Sequence, residues 1–101
     1  MEVIGEKLAC EDFEPHVGSG FKVVTEGAPE QVLTLTEAKK LRDQPFEEGF
    51  RIPFALLFEG PAPMLPQYTY VFENEGMGQQ AIFIVPIAKA GDGFRYEAIF
   101  N

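Results

Sequence analysis

Phe21, Val23 and Thr25 alternate with Lys22, Val24 and Glu26, and a period of two predicts a strand with one buried face. Gly27, Ala28 and Pro29 then mark a turn. Segment 31–37 carries Val, Leu and Thr and predicts a second strand. We extend it through Ala38, Lys39, Lys40 and Leu41, because no capping signal precedes this helix-tolerant stretch. Segment 42–51, with Pro45, Gly49 and five charges, predicts an exposed loop. The apolar run 53–59 predicts a third strand that stops at Gly60 and Pro61. Pro61, Pro63 and Pro66 make the next loop stiff and extended. Tyr68, Tyr70 and Phe72 then alternate with Thr69, Val71 and Glu73, which predicts a fourth strand. A glycine-bearing hairpin loop at 74–78 leads to a strand over 79–88, and a turn at 90–93 leads to a last strand over 94–100.

The last hairpin invites a prediction of register. With residues 90–93 as the loop, Lys89 faces Phe94, Ile87 faces Tyr96, Val85 faces Ala98 and Phe83 faces Phe100. Phe83, Val85 and Ile87 then share one apolar face, and Ile84, Pro86 and Ala88 share a mixed one. Pro86 cannot donate to a ladder, so an edge position or a bulge is expected there. Near the start, segment 10–18 reads as one short helical turn, with Glu11, Asp12 and Glu14 where a helix N-terminus favours acids. Phe13 and Val17 are placed on one face of it, Pro15 limits its length and Gly18 ends it. The expected fold class is all-β: a small antiparallel barrel or sandwich of about six strands in a single domain, 1–101, with one short N-terminal helical turn. Strands apolar on both faces, such as 79–88, favour closure.

Composition narrows the function classes. Hydrophobic residues make up 46% of the 101, and ten of the aromatics are Phe, so a folded core is expected. The formal charge is −8, with −6 in residues 1–50 and −2 in residues 51–101. A chain this acidic lacks the basic stripe that attracts phosphate backbones or anionic membranes, so neither nucleic acid nor membrane is an expected partner. Cys10 is the single cysteine, which precludes an intrachain disulfide. Residues 1–7 show no basic region followed by an apolar stretch, and the apolar run 81–88 is far short of the ~20 residues that span a bilayer. A cytoplasmic location is therefore expected.

Several groups of residues follow a shared pattern. They are Phe54-Ala55-Leu56-Leu57-Phe58-Glu59-Gly60-Pro61, Leu65-Pro66-Gln67, Thr69-Tyr70, Phe83-Ile84-Val85-Pro86-Ile87 and the terminal Tyr96-Glu97-Ala98-Ile99-Phe100-Asn101. With Phe13, Val17-Gly18 and Phe21, they resemble a family of small, uncharacterised bacterial proteins of about one hundred residues. The resemblance implies a shared, self-standing fold and an association with phage-tail-like or fibre proteins. It carries no activity, substrate or catalytic residue, and fold alone does not establish function.

The chemistry-bearing residues offer little. One His and one Cys, without Cys-x-x-Cys or His-x-x-x-His spacing, give no zinc site, and the acids at 11, 12 and 14 lack EF-hand spacing. Cys10 and His16 form the single Cys–His combination and fall on opposite ends of one turn. Glu59, Glu73 and Glu97 could in principle form a carboxylate pair, but each sits where solvent exposure explains it. Gly18-Ser19-Gly20 lacks the helix and lysine of a phosphate loop. No catalytic residue, metal or cofactor is assigned.

Binding residues are easier to name. The stiff loop 60–67 presents Met64 and Leu65, and the charged loop 42–51 presents Phe46 and Phe50. Each pair either plugs the core or forms an interaction patch, and unpaired strand edges could add to a partner's sheet. The leading expectation is a non-catalytic binding or assembly module, with a protein partner or self-association, within a phage-tail-like or other multi-protein particle. The second is a barrel that holds a small ligand among Tyr68, Tyr70 and Tyr96.

Overall fold

Alternation becomes geometry in the first strand: Phe21 and Val23 are buried while Lys22 and Val24 turn outward, because successive side chains leave a strand on opposite faces. The computed structural model describes residues 8–25 and 29–101. The reading of residues 1–7 and of the turn at Gly27 and Ala28 lies outside the described residues. Six strands follow: β1 (Gly20–Val24), β2 (Gln31–Lys40), β3 (Phe54–Gly60), β4 (Tyr68–Asn74), β5 (Gly78–Ala90) and β6 (Gly93–Phe100). They close into an antiparallel barrel in the order β1-β2-β3-β6-β5-β4, with β4 returning to β1. Closure resolves the choice between barrel and sandwich. It also corrects the expected unpaired edges, since each strand has a neighbour on both sides.

Two bulges set which residues reach the core. In β2 the register against β3 shifts between Leu35 and Glu37, and the extra Thr36 donates its hydroxyl to the Leu57 carbonyl at 3.1 Å. Ala38 thereby points inward like Leu35, so the strand continues through its lysines. In β5 the shift lies between Pro86 and Ala88. Lys89 does face Phe94, but beyond the bulge Pro86 faces Tyr96 and Val85 faces Glu97. The predicted face is therefore inverted: Ile82 and Ile84 are buried, and Phe83 and Ile87 stand in solvent. Pro86 is the physical reason, because it lacks the N–H that an unbroken ladder needs.

The barrel axis is filled with rings. Phe21, Phe58 and Phe72 interlock, with Phe58 5.5 Å from Phe21 and 5.0 Å from Phe72. One mouth is closed by the helix α1 (Cys10–Phe13) and a following 3-10 turn (Glu14–His16). Phe13 enters that mouth against Phe54 at 5.8 Å and Phe100 at 5.7 Å, and those two rings stack at 4.6 Å. Arg51 ties the same end, donating to the Leu8 carbonyl at 2.7 Å and the Asn101 carbonyl at 2.9 Å. Val17 does not share the Phe13 face, because its extended backbone turns the side chain outward. At the opposite mouth Gly93 passes against the backbone of Gly60, leaving no room for a Cβ.

Candidate functional site

The second mouth is covered by loop 61–67 rather than a helix. β3 and β4 are separated by two strands in the barrel, so the chain joining them must cross the open end. Pro61, Pro63 and Pro66, which also restrict the residues before them, keep that crossing extended, and three side chains of the barrel hold its main chain. Gln31 donates Nε2–H to the Pro63 carbonyl at 3.0 Å, and the Tyr70 hydroxyl donates to the Pro66 carbonyl at 2.7 Å. From inside the barrel the fully buried Tyr96 hydroxyl accepts the Leu65 N–H at 2.8 Å. Burial raises the pKa of the Tyr70 phenol, which keeps its donor proton in place at neutral pH. The Gln31 and Tyr96 contacts reach across 32 and 31 residues of chain, and with the local Tyr70 contact they fix loop conformation before any partner arrives.

Beneath and beside the loop lies a cleft of about 390 Å³ between Thr25, Pro29 and Gln31 on one side and Met64, Pro66 and Tyr68 on the other. The described residues that line it carry no charge. Tyr68 is 66% exposed, with its ring edge-on to Tyr70 at 5.5 Å, and Met64 is 48% exposed. Gln31, by contrast, is 7% exposed, and its Oε1 has no hydrogen-bond partner among the described residues. An unsatisfied buried acceptor is uncommon and costly in a folded domain.

The four residues expected at an interaction site do not come together. Met64 and Leu65 belong to this mouth, where Leu65 plugs the core at 7% exposure and Met64 faces out. Phe46 and Phe50 lie in the loop from β2 to β3, at the helix-capped mouth. Both are exposed; Phe46 stacks under the Arg42 guanidinium at 4.0 Å, and Phe50 borders a separate hollow with Gly49, Arg51 and Asn101. Of the tyrosines expected around a ligand, Tyr68 and Tyr70 line the cleft, whereas Tyr96 is wholly inside the barrel and acts on the cleft only by holding Leu65. The sequence reading missed Gln31, whose parity with the buried Leu33 and Leu35 was the available signal.

A second feature it missed lies on the outer wall. Val24 pairs with Val71, Val71 with Ala81, and Thr69 with Phe83. Phe83 and Ile99 stand two residues along from the Val85–Glu97 pair on the same outward side. Val24, Val71, Phe83 and Ile99 are all exposed and form an apolar stripe around the barrel.

The residues weighed for catalysis are engaged separately. The Cys10 thiol contacts Glu14 at 3.6 Å, while the His16 ring lies against Gly76. Burial, then the adjacent Glu14 carboxylate, pushes the Cys10 thiol up to about 11. The native thiol is therefore expected to resist Ellman's reagent at pH 8 and to react once the chain is unfolded, which an absorbance time course checks. A raised folded pKa contributes stability that is present below the unfolded value of 9.0 and lost as pH rises toward about 11. Glu59 is held by Arg95 at 2.9 Å, Glu73 by Lys22 at 3.5 Å, and Glu11 by Lys40 at 2.6 Å. Lys40 holds the Glu11 carboxyl below its ordinary value, and Glu30 first among its neighbours raises the Lys22 ammonium. Among the described residues no three His, Cys, Asp or Glu side chains converge as metal ligands, and no helix is long and apolar enough to cross a membrane.

The fold and this mouth define a small closed β-barrel with a proline loop lashed across one end. A family model described as a domain of unknown function, DUF6916, matches residues 8–100, and the chain belongs to that family. No curated protein and no solved structure matches it.

Proposed function

We propose that this chain is a non-catalytic recognition domain that docks a protein partner on the barrel mouth crossed by loop 61–67. The observation that carries this reading is the three-point tether. Gln31, Tyr70 and Tyr96 immobilise the loop main chain while Met64 and Tyr68 remain in solvent. A loop already ordered in the free protein loses little entropy on binding, and exposed aromatic and methionine side chains are favoured contact groups. A ligand chamber inside the barrel is the poorer reading, since Phe21, Phe58, Phe72 and Tyr96 occupy the axis. Affinity capture from the native cell with three proteins tests the docking face. The partner is expected on the unaltered chain and on Phe46→Ser/Phe50→Ser, and absent from Met64→Asp/Tyr68→Ser. Retention by the last variant, with its fold verified by circular dichroism, overturns the assignment.

The apolar stripe on the wall favours a second reading, self-association within a larger particle. Light scattering behind a sizing column tests it. If the stripe mediates assembly, the mass is a multiple of 11.3 kDa and Phe83→Glu returns it to that of one chain. A single-chain mass for both proteins leaves the mouth as the docking surface.

A further inference from the structure

We infer that a second copy of this chain covers the outer face of β5, in a closed two-fold dimer whose β5 strands run antiparallel and set Phe83 of each copy against Val85 of the other. This rests on the self-association reading above and specifies its geometry. The first observation is the strand itself. Residues 78–88 carry no charge in a chain of net −8. The outward side chains among them are Ala81, Phe83, Val85 and, in the bulge, Ile87. An antiparallel strand with one face in water ordinarily sets polar residues there. Phe83 and Ile87 are 48% and 47% exposed, and Val71 and Ile99 on the flanking strands are 40% and 47% exposed.

Shape and area restrict the occupant. The wall of a closed barrel is convex, so it does not enclose a small molecule, and a second convex wall touches it along a line. The outward residues of β5 form such a line, about 20 Å long from position 81 to position 87. With side-chain areas on the order of 150–200 Å², the four half-exposed residues offer roughly 300–400 Å² of apolar surface. That is most of the non-polar share of the ~800 Å² each partner gives to a stable interface. Size matching then selects a second copy. When β5 packs antiparallel on itself about an axis at residue 84, Phe83 faces Val85 and Ile87 faces Ala81, so each larger side chain meets a smaller one. A parallel arrangement sets Phe83 on Phe83 and Ala81 on Ala81, a clash beside a gap. Charge-free strand centres meet in the dimer, while the two net charges still repel at longer range, so salt that screens them strengthens association.

Sedimentation velocity of the full chain over a range of concentrations, at low and high sodium chloride, tests this. The expected species has twice the 11.3 kDa mass of one chain and tightens as salt rises. Phe83→Glu, with its fold verified by circular dichroism, is expected to weaken the dimer about a hundredfold, because it puts an unpaired carboxylate into the contact. A size swap reads the orientation. Ile87→Ala and Ala81→Ile are each expected to weaken the dimer about tenfold, and Ala81→Ile/Ile87→Ala to recover most of that loss. Positions 81 and 87 stand about 20 Å apart within one chain, so recovery reports contact between copies. A single-chain mass at every concentration, or a dimer that Phe83→Glu leaves intact, overturns both the inference and the self-association reading of the stripe. Association lost in Phe83→Glu without recovery in the double variant, or a mass that keeps growing past two chains, overturns the two-fold arrangement and leaves the stripe as an assembly surface.

Discussion

Phe58→Ala is expected to lower the unfolding free energy by about 3–5 kcal/mol, the range for removing a phenylalanine from a packed core. Phe58 has no exposed surface and sits where three strands meet, facing Leu35 on β2 and Tyr96 on β6. Its ring also fills the axis against Phe21 and Phe72. The loss therefore combines transferred apolar area with a cavity that rigid neighbouring rings cannot collapse to fill. Domains of this size are stable by roughly 5–15 kcal/mol, so the variant stands near the edge of folding. Urea titration reads the effect, with Ile99→Ala on the outer wall as the comparison. That residue is 47% exposed, and surface changes of its kind stay within about 0.5 kcal/mol. Similar losses at the two positions would contradict the assignment of a filled axis.

How much of this was legible in the chain depended on the range of the forces involved. Strand alternation is local, so the patterns at Phe21–Val23 and Tyr70–Phe72 read correctly, as did the persistence of β2 through its lysines. Register is less local. One bulge beside Pro86 reversed the predicted inward face of β5 and moved Phe83 from core to wall. That reversal hid the apolar stripe as well. Closure depends on β4 meeting β1, a pairing between residues about fifty apart that no periodicity announces. The site was half visible for the same reason. Three prolines and Met64 marked the loop as stiff and apolar, but what makes it a built feature is its attachment to Gln31 and Tyr96, 32 and 31 residues away from their partners. A polar Gln sharing parity with buried leucines was the one local sign of that attachment.

The two mouths also show why exposed aromatics alone did not locate the site. Phe46 and Phe50 are as exposed as Tyr68, yet their loop is joined to the barrel mainly at its ends, by Arg51 and by the Leu41 N–H to the Pro53 carbonyl at 2.9 Å. Loop 61–67 is tied at three interior points. Exposure offers contact area, whereas tethering removes the ordering cost that binding would otherwise carry. The second property separates the two loops.

Tyr96→Phe tests that tether with the loss of a single oxygen. The hydroxyl lies within a wholly buried side chain and accepts the N–H of Leu65, which is itself buried. Removing it leaves a buried donor without a partner, an expense of about 1–3 kcal/mol that apolar packing does not offset because the ring is unchanged. Tyr70→Phe is expected to cost less, since the Pro66 carbonyl it frees is only partly buried and can accept from water. Chemical denaturation gives the two losses. Hydrogen exchange at the Leu65 amide shows where the first one falls: in Tyr96→Phe that amide exchanges faster than in the unaltered chain, while amides in the centre of β3 slow or quicken only with global stability. If the Leu65 amide keeps its protection, the loop is held by packing alone, and the interior hydroxyl is not what fixes the mouth. If protection is lost there first, the barrel core reaches the cleft through one hydrogen bond, and partner affinity at the mouth should fall with it.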